Sequence, residues 1–339
     1  MQKYFVKYMS IINKIIQRID KFYQQKIVKE QYPMLTTLSQ KKLQGEGVLG
    51  IVYMLHHISE KDKSRIPTNE DLKVSQGFLE QLILKYRQKG FDFISLDELS
   101  RILSKSYRVD RPFVSFTIDD GYVDNYTNAL PIFEKYQVPF AVFVATDFID
   151  KRAVLWWDSI EDLILSNEIV LTSDGKTYPC TTYQERWDTF RYLRERILEL
   201  NQNRIEQELQ QMFCNYEIDW QRPIKEKGMS WEQVRKLANH PLCTIGGHTI
   251  SHPSLKKLSS SEAHYEIEEG RRKLEQVIGQ PINFFAYPYG TPNEVGEREL
   301  QIVSEQGFKL AFCAYGGGIT AKMNTQPYSL PRVYLHENK

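Results

Sequence analysis

Seven short apolar runs separated by helical patterns constrain this chain more than any other feature. The runs are 48–55 (VLGIVYML), 112–118 (PFVSFTI), 139–145 (PFAVFVA), 242–246 (LCTIG), 283–287 (NFFAY), 308–313 (FKLAFC) and 328–335 (YSLPRVYL). Each is too short for an ordinary helix and rich in β-branched or aromatic residues, so each reads as a buried strand. Between several of them, over 76–90, 122–137, 260–278 and 294–306, apolar residues recur at helical spacing. Strands alternating with helices predict an α/β fold with a parallel sheet and outer helices, and this number of strands predicts a barrel, closed or nearly so.

Two stretches break the alternation. Residues 155–228 open with LWWDSIEDLIL and continue into a charged helical pattern at 184–213, too long for a simple crossover, which predicts a mostly helical insertion. Residues 1–31 carry Phe5, Met9, Ile12, Ile16, Ile19 and Tyr23 at spacings of three and four, with an excess of lysine and arginine. A basic amphipathic helix of this kind either touches an anionic membrane surface or packs its stripe on protein. The expected organisation is an N-terminal extension over 1–45 and one main unit over 46–339 that contains the insertion.

Composition narrows the function classes. With 44 basic and 43 acidic residues the net charge is +1, so no global electrostatic case for nucleic acid exists. The four cysteines, at 180, 214, 243 and 313, form no C-x-x-C pair and suggest neither a zinc cluster nor a disulfide framework. Lys7 interrupts the first apolar stretch, no small-residue cleavage site follows, and no run approaches the roughly 20 apolar residues of a membrane span. The expected location is cytoplasmic, with residues 1–31 either packed on protein or in peripheral contact with the inner membrane surface.

The residues suited to chemistry sit where strands end. Asp119 and Asp120 close the run VSFTI and are followed by Gly121. Adjacent unpaired carboxylates are costly to bury, so they suggest either a functional site or an N-cap for the helical pattern that follows. His248 and His252 follow LCTIGG; at a spacing of four they could face one way on a helical turn and bind one metal ion. Two imidazoles with one carboxylate leave positions open, as a catalytic metal site requires. Tyr287-Pro288-Tyr289-Gly290 closes another strand, either as a rigid turn or as a backbone N–H offered to an oxyanion. His56 follows the first run, and Arg332 and His336 lie on or after the last.

Taken together, SFTIDDGY, GGHTISHPSL, AYPYG and VYMLHHI resemble the polysaccharide deacetylase family, also called the NodB-homology family or carbohydrate esterase family four. The resemblance runs from about residue 48 to 335, interrupted by the insertion. The LWWDSIEDL segment resembles the branch found among surface-polysaccharide biosynthesis proteins and adds Trp157 as a candidate substrate contact. The resemblance implies a distorted (β/α)7-type barrel and hydrolytic N-deacetylation of an amino sugar or polysaccharide precursor. It implies a divalent metal, zinc first, then cobalt, nickel, iron or manganese, held by Asp120, His248 and His252. Asp119 matches the general base. Tyr289, with Gly290 beside it, matches the oxyanion-binding segment. Where many members have an arginine in the third motif this chain has Ala286, and Arg332 is the candidate substitute, expected to contact Asp119. Leu335-His336 resembles the family's general-acid motif, and His56 is the other candidate; Leu55 replaces the tyrosine of a Tyr-His pair. Deformylation, cyclic-imide hydrolysis and non-catalytic carbohydrate binding are the alternatives on the same barrel.

Overall fold

The computed structural model describes residues 47–106 and 109–337. The helix expected over 1–31, and the 1–45 extension as a whole, lie outside the described residues. Seven strands build the main sheet: β1 (Val48–Leu55), β2 (Phe113–Ile118), β3 (Phe140–Val144), β4 (Cys243–Gly247), β5 (Phe284–Ala286), β6 (Leu310–Phe312) and β7 (Val333–Tyr334). β1 to β6 lie side by side in chain order, each parallel to the next. β2 and β3 are buried at every residue, as parallel strands covered on both faces must be, which explains their continuous apolar sequences.

The last apolar run draws the sheet round. Leu330 bridges Phe312 beside β6, and β7 then pairs parallel with β1, so one segment reaches both edges and the sheet curls strongly. This run was expected as a strand over 328–335, but only Val333–Tyr334 has strand geometry. Pro331 has no N–H to give to a ladder and interrupts it. Two short pairings were not expected: Asp92–Phe93 beside β2, and Ile319–Thr320 antiparallel to the start of β1.

The helical patterns form outer helices, among them α1 (Gln76–Gln88), α2 (Leu96–Leu103) and α3 (Leu130–Lys135). A π-helical turn, Asn125–Ala129, precedes α3. Residues 155–228 hold α4 (Trp156–Leu165), α5 (Tyr183–Leu198), α6 (Ile205–Met212) and a hairpin of Ile169–Leu171 with Thr177–Pro179. They share a core of their own, built on Ile160, Ile164, Phe190, Leu193, Ile197 and Phe213. The chain returns to the barrel through α7 (Trp231–Ala238), α8 (Ser260–Ile278) and α9 (Glu297–Glu305). α8 starts on a Ser259–Glu262 capping box and ends at Gly279, whose φ of 70° is a left-handed cap.

Strand register brings the carboxyl ends onto one rim: Leu55 faces Ile118, Ile118 faces Val142, Val144 faces Gly247, and Gly247 faces Phe285. β3 and β4 approach closely only because of a glycine. A Cβ on Gly246 would lie 2.3 Å from the Phe143 ring, whereas one on Gly247 would lie 3.4 Å from Phe285. Gly246→Ala is therefore expected to cost about 1–3 kcal/mol through overpacking. Gly247→Ala should cost less, and urea unfolding midpoints of the two variants check the order.

Candidate active site

Asp119 continues the β2 ladder, its N–H donating to the Leu55 carbonyl at 2.9 Å. The chain then turns sharply: Asp120 has φ 78° and Gly121 φ 100°. That left-handed pair lets two adjacent carboxylates line the same cleft, which a continuing strand forbids. Helical geometry begins at residue 123, and among the described residues neither carboxylate accepts a hydrogen bond from an N–H of that first turn, so neither acts as an N-cap. Among the described residues, seven non-glycine residues have positive φ, and Asp120, Thr249, His252 and Tyr289 are four of them. Backbone strain is thus concentrated at the rim, as at many functional sites.

His248 directly follows β4, its N–H still bonded to the Val144 carbonyl at 3.1 Å, and His252 follows on an irregular loop instead of the expected helical turn. Its position is set from α8. The buried Glu266 carboxylate accepts the N–H groups of Ile250 at 2.9 Å and Ser251 at 3.0 Å, and the Ser251 hydroxyl at 2.8 Å. Both imidazole Nε2 atoms lie 3.3 Å from Asp120 Oδ1. The three candidate ligand atoms are within 4.8 Å of one another. His248 Nδ1 meets the Ala286 carbonyl at 2.7 Å, the second contact that orients a ligating imidazole with Nε2 free.

This donor set fits a divalent transition-metal ion. Two imidazole nitrogens and a carboxylate oxygen converge, and Asp120 Oδ1 is buried without a hydrogen-bond partner. The electrostatics agree. Burial alone would raise the Asp120 carboxyl, but His252 and His248 outweigh it and keep it ionised. Burial pushes the His252 imidazole down to about 4, so it is neutral, the form that binds metal. Burial opposes charge on His248 as well, yet the adjacent Asp120 and Asp119 hold it above its usual value.

Asp119 faces a different partner. Arg332 Nη1 donates to its Oδ1 and Nη2 to its Oδ2, both at 2.7 Å, a bidentate pair with Asp119 2% and Arg332 1% exposed. Arg332 also donates to Thr117 Oγ1 at 3.1 Å and the Cys313 carbonyl at 3.2 Å. Burial pushes the Asp119 carboxyl up, while Arg332, His248 and His56 pull it below the ordinary carboxylate value. It is an anion at neutral pH.

The other residues singled out in the sequence divide. His56 lines the cleft; its Nδ1 is buried with no partner, and burial holds its pKa below the usual histidine value. His336 is not among the cleft-lining residues; it packs against Tyr334 at 4.1 Å between ring centres. Tyr289 lines the cleft with its ring 4.8 Å from that of His252, and among the described residues no hydrogen bond engages its N–H. Gly290 cannot share that task, since its N–H already reaches the Pro288 carbonyl at 2.6 Å. It serves the turn: with φ 64°, a Cβ there would lie 2.7 Å from the Ala314 nitrogen. Trp157 stands beside His252 at 5.8 Å between ring centres.

The cleft holds about 220 Å³, near the small end for ligand pockets and suited to one ring. Several of its residues carried no sequence signal. Thr68 and Asn69, on the short helix Pro67–Glu70, and Leu72 just after it come from a segment tied to α4, where Glu161 accepts the Ile66 N–H at 2.6 Å and Asn69 Nδ2 at 2.9 Å. Phe190 and Arg194 come from α5 in the insertion. Asn125, on the π-helical turn, donates to the His56 carbonyl at 2.8 Å and so fixes the backbone of that histidine.

Fold and site together define a strongly curled α/β half-barrel with a candidate metal site and a second carboxylate held beside it. The model of the polysaccharide deacetylase family matches residues 106–311, more than half of the chain. The chain belongs to the polysaccharide deacetylase family. A Bacillus subtilis (strain 168) protein, YxkH, named only provisionally as a polysaccharide deacetylase, is 20% identical over 282 residues, 83% of this chain and 70% of that one. The peptidoglycan-N-acetylglucosamine deacetylase of Bacillus cereus is 34% identical over 77 residues, 23% of this chain and 26% of that protein. The solved structure of the Streptococcus pyogenes deacetylase PplD in complex with acetate superposes with a TM-score of 0.56 at 18% identity, covering 86% of this chain and 93% of that one.

Removing one partner of the buried pair leaves a charge uncompensated. Arg332→Met and Asp119→Asn are each expected to lose about 3–5 kcal/mol. The double variant should lose clearly less than the sum, which chemical denaturation of all four proteins measures. Because the Asp119 carboxyl lies lower in the folded than in the unfolded chain, its contribution is complete above about pH 4 and fades as pH falls. The stability gap between the parent protein and Asp119→Asn should narrow in that direction.

Proposed function

We propose that this protein is a metal-dependent N-deacetylase acting on an acetamido sugar of a surface-polysaccharide precursor. The single observation that carries this reading is the placement of Asp119, ionised and clamped by Arg332, next to Asp120, His248 and His252. Asp120, His248 and His252 would hold the ion, and zinc suits two nitrogens and one oxygen with positions left open. When bound, the ion polarises the acetamide carbonyl and acidifies water.

The protein's own residues do the rest. Asp119 accepts a proton from the attacking water; the guanidinium fixes its orientation while each oxygen keeps a lone pair for that task. The Tyr289 N–H donates to the carbonyl oxygen as negative charge develops on it. Of the three histidines that line the cleft, His56 is the one outside the candidate metal set, and we assign to its protonated form the delivery of a proton to the departing nitrogen. Trp157 and Tyr289 offer flat apolar faces to a sugar ring. The products are acetate and a free amino sugar.

Asp119→Asn is expected to retain one equivalent of metal and to lose acetate release by about a hundredfold or more, the scale of general base catalysis. His252→Ala should lose metal and activity together. Elemental analysis beside an acetate assay separates the two. Equal metal loss in both variants would reverse the roles given to base and ligand.

A further inference from the structure

Resting on the deacetylase reading of the same cleft, we propose that Arg194 binds an oxyanion, phosphoryl or carboxylate, which the substrate carries next to its acetamido sugar. Arg194 stands on α5, one helical turn after Phe190, and the two side chains line the cleft together. The face is firmly placed: Phe190 is 1% exposed, and Leu193 and Ile197 are fully buried in the core of the insertion. Arg194 is half-buried, so its guanidinium is partly withdrawn from water.

It has no carboxylate to answer. The acids that line the cleft are Asp119 and Asp120; Arg332 occupies the first with both nitrogens, and the second faces the two histidines. Most arginines among the described residues hold carboxylates, including Arg65, Arg111, Arg152, Arg191, Arg196, Arg222, Arg271, Arg272, Arg298 and Arg332. The Arg194 guanidinium forms neither a side-chain hydrogen bond nor an ion pair among the described residues, and its charge acts on the neighbouring Tyr289 of the cleft. Arg204, also from the insertion and also without such a partner there, lines the adjoining pocket, which shares Trp156, Trp157, His252 and Tyr289 with the cleft. The insertion thus brings two unanswered guanidinium groups to one continuous wall around the reacting position. A planar fork of donors matches phosphate and carboxylate geometry, and a neutral sugar hydroxyl would leave most of its charge unmet.

The test compares three acetamido sugars on the metal-loaded protein: N-acetylglucosamine phosphate, N-acetylglucosamine linked to glucuronic acid, and the neutral N-acetylglucosamine disaccharide. Arg194→Gln is expected to lower the ratio of kcat/KM for an anionic over the neutral substrate by about tenfold or more, the scale of a hydrogen bond to a charged group. A fall confined to the phosphate names a phosphoryl group; one confined to the glucuronide names a carboxylate. Arg101→Gln, at an exposed position of α2 that does not line the cleft, removes the same charge and should leave the ratio unchanged. An unchanged ratio in Arg194→Gln overturns the assignment while leaving the deacetylase reading intact. If no sugar releases acetate, that reading fails, and calorimetric binding of N-acetylglucosamine phosphate decides on Arg194 alone. Weaker binding by Arg194→Gln supports the assignment; equal affinity, or no binding by the parent protein, overturns it.

Discussion

The ion pair between Arg332 and Asp119 joins the chemistry to the architecture. The two residues are 213 positions apart, one at the end of β2 and the other just before β7. They meet because β7 lies against β1, and β1 lies against β2. Drawing the sheet round is what delivers a cation to the carboxylate, and a buried carboxylate without one would take up a proton instead of staying ionised. The same contact gives the Asp119 carboxylate, the proposed base, a fixed direction. Stability and the proposed catalysis therefore rest on one bidentate hydrogen-bonded pair, with Thr117 and the Cys313 carbonyl taking two of the three remaining guanidinium donors.

A second constraint acts on the metal position. His248, directly after a strand, is held by the ladder and by the Ala286 carbonyl. His252 has no such support, and its loop depends on Glu266 from α8, buried between them. Gly270 permits that closeness, since a Cβ there would lie 2.8 Å from the Thr249 carbonyl. An outer helix thus holds the candidate ligand that no strand supports, and backbone strain at Thr249 and His252 is retained by those contacts.

Much of this was legible in the sequence, for physical reasons. Parallel strands buried on both faces must be continuously apolar, so VSFTI and FAVFV announced themselves. Charged and imidazole groups at the ends of such runs have few structural uses, which marked Asp119, Asp120, His248 and His252. Arg332 stood out as an arginine in a late strand, and the contact with Asp119 is present. What stayed hidden depends on tertiary placement. His56 and His336 follow apolar runs equally well, and only the curl of the sheet puts the first in the cleft and the second outside it. Gly290 resembled an oxyanion donor until its N–H was seen to turn back to Pro288. Arg194 and Phe190 lie in a charged helical stretch whose periodicity says nothing about what its face adjoins. Pro331 shows the converse: a single residue chemistry that shortened an expected strand.

The account stands or falls on coupling between one metal ion and one hydrolytic event. Chelator-stripped protein should be titrated with zinc while acetate release from an acetamido sugar is followed in the same samples. Activity is predicted to rise in step with occupancy and to level off at one ion per chain. Full acetate release from the stripped protein, or a stoichiometrically filled site with none, would contradict it.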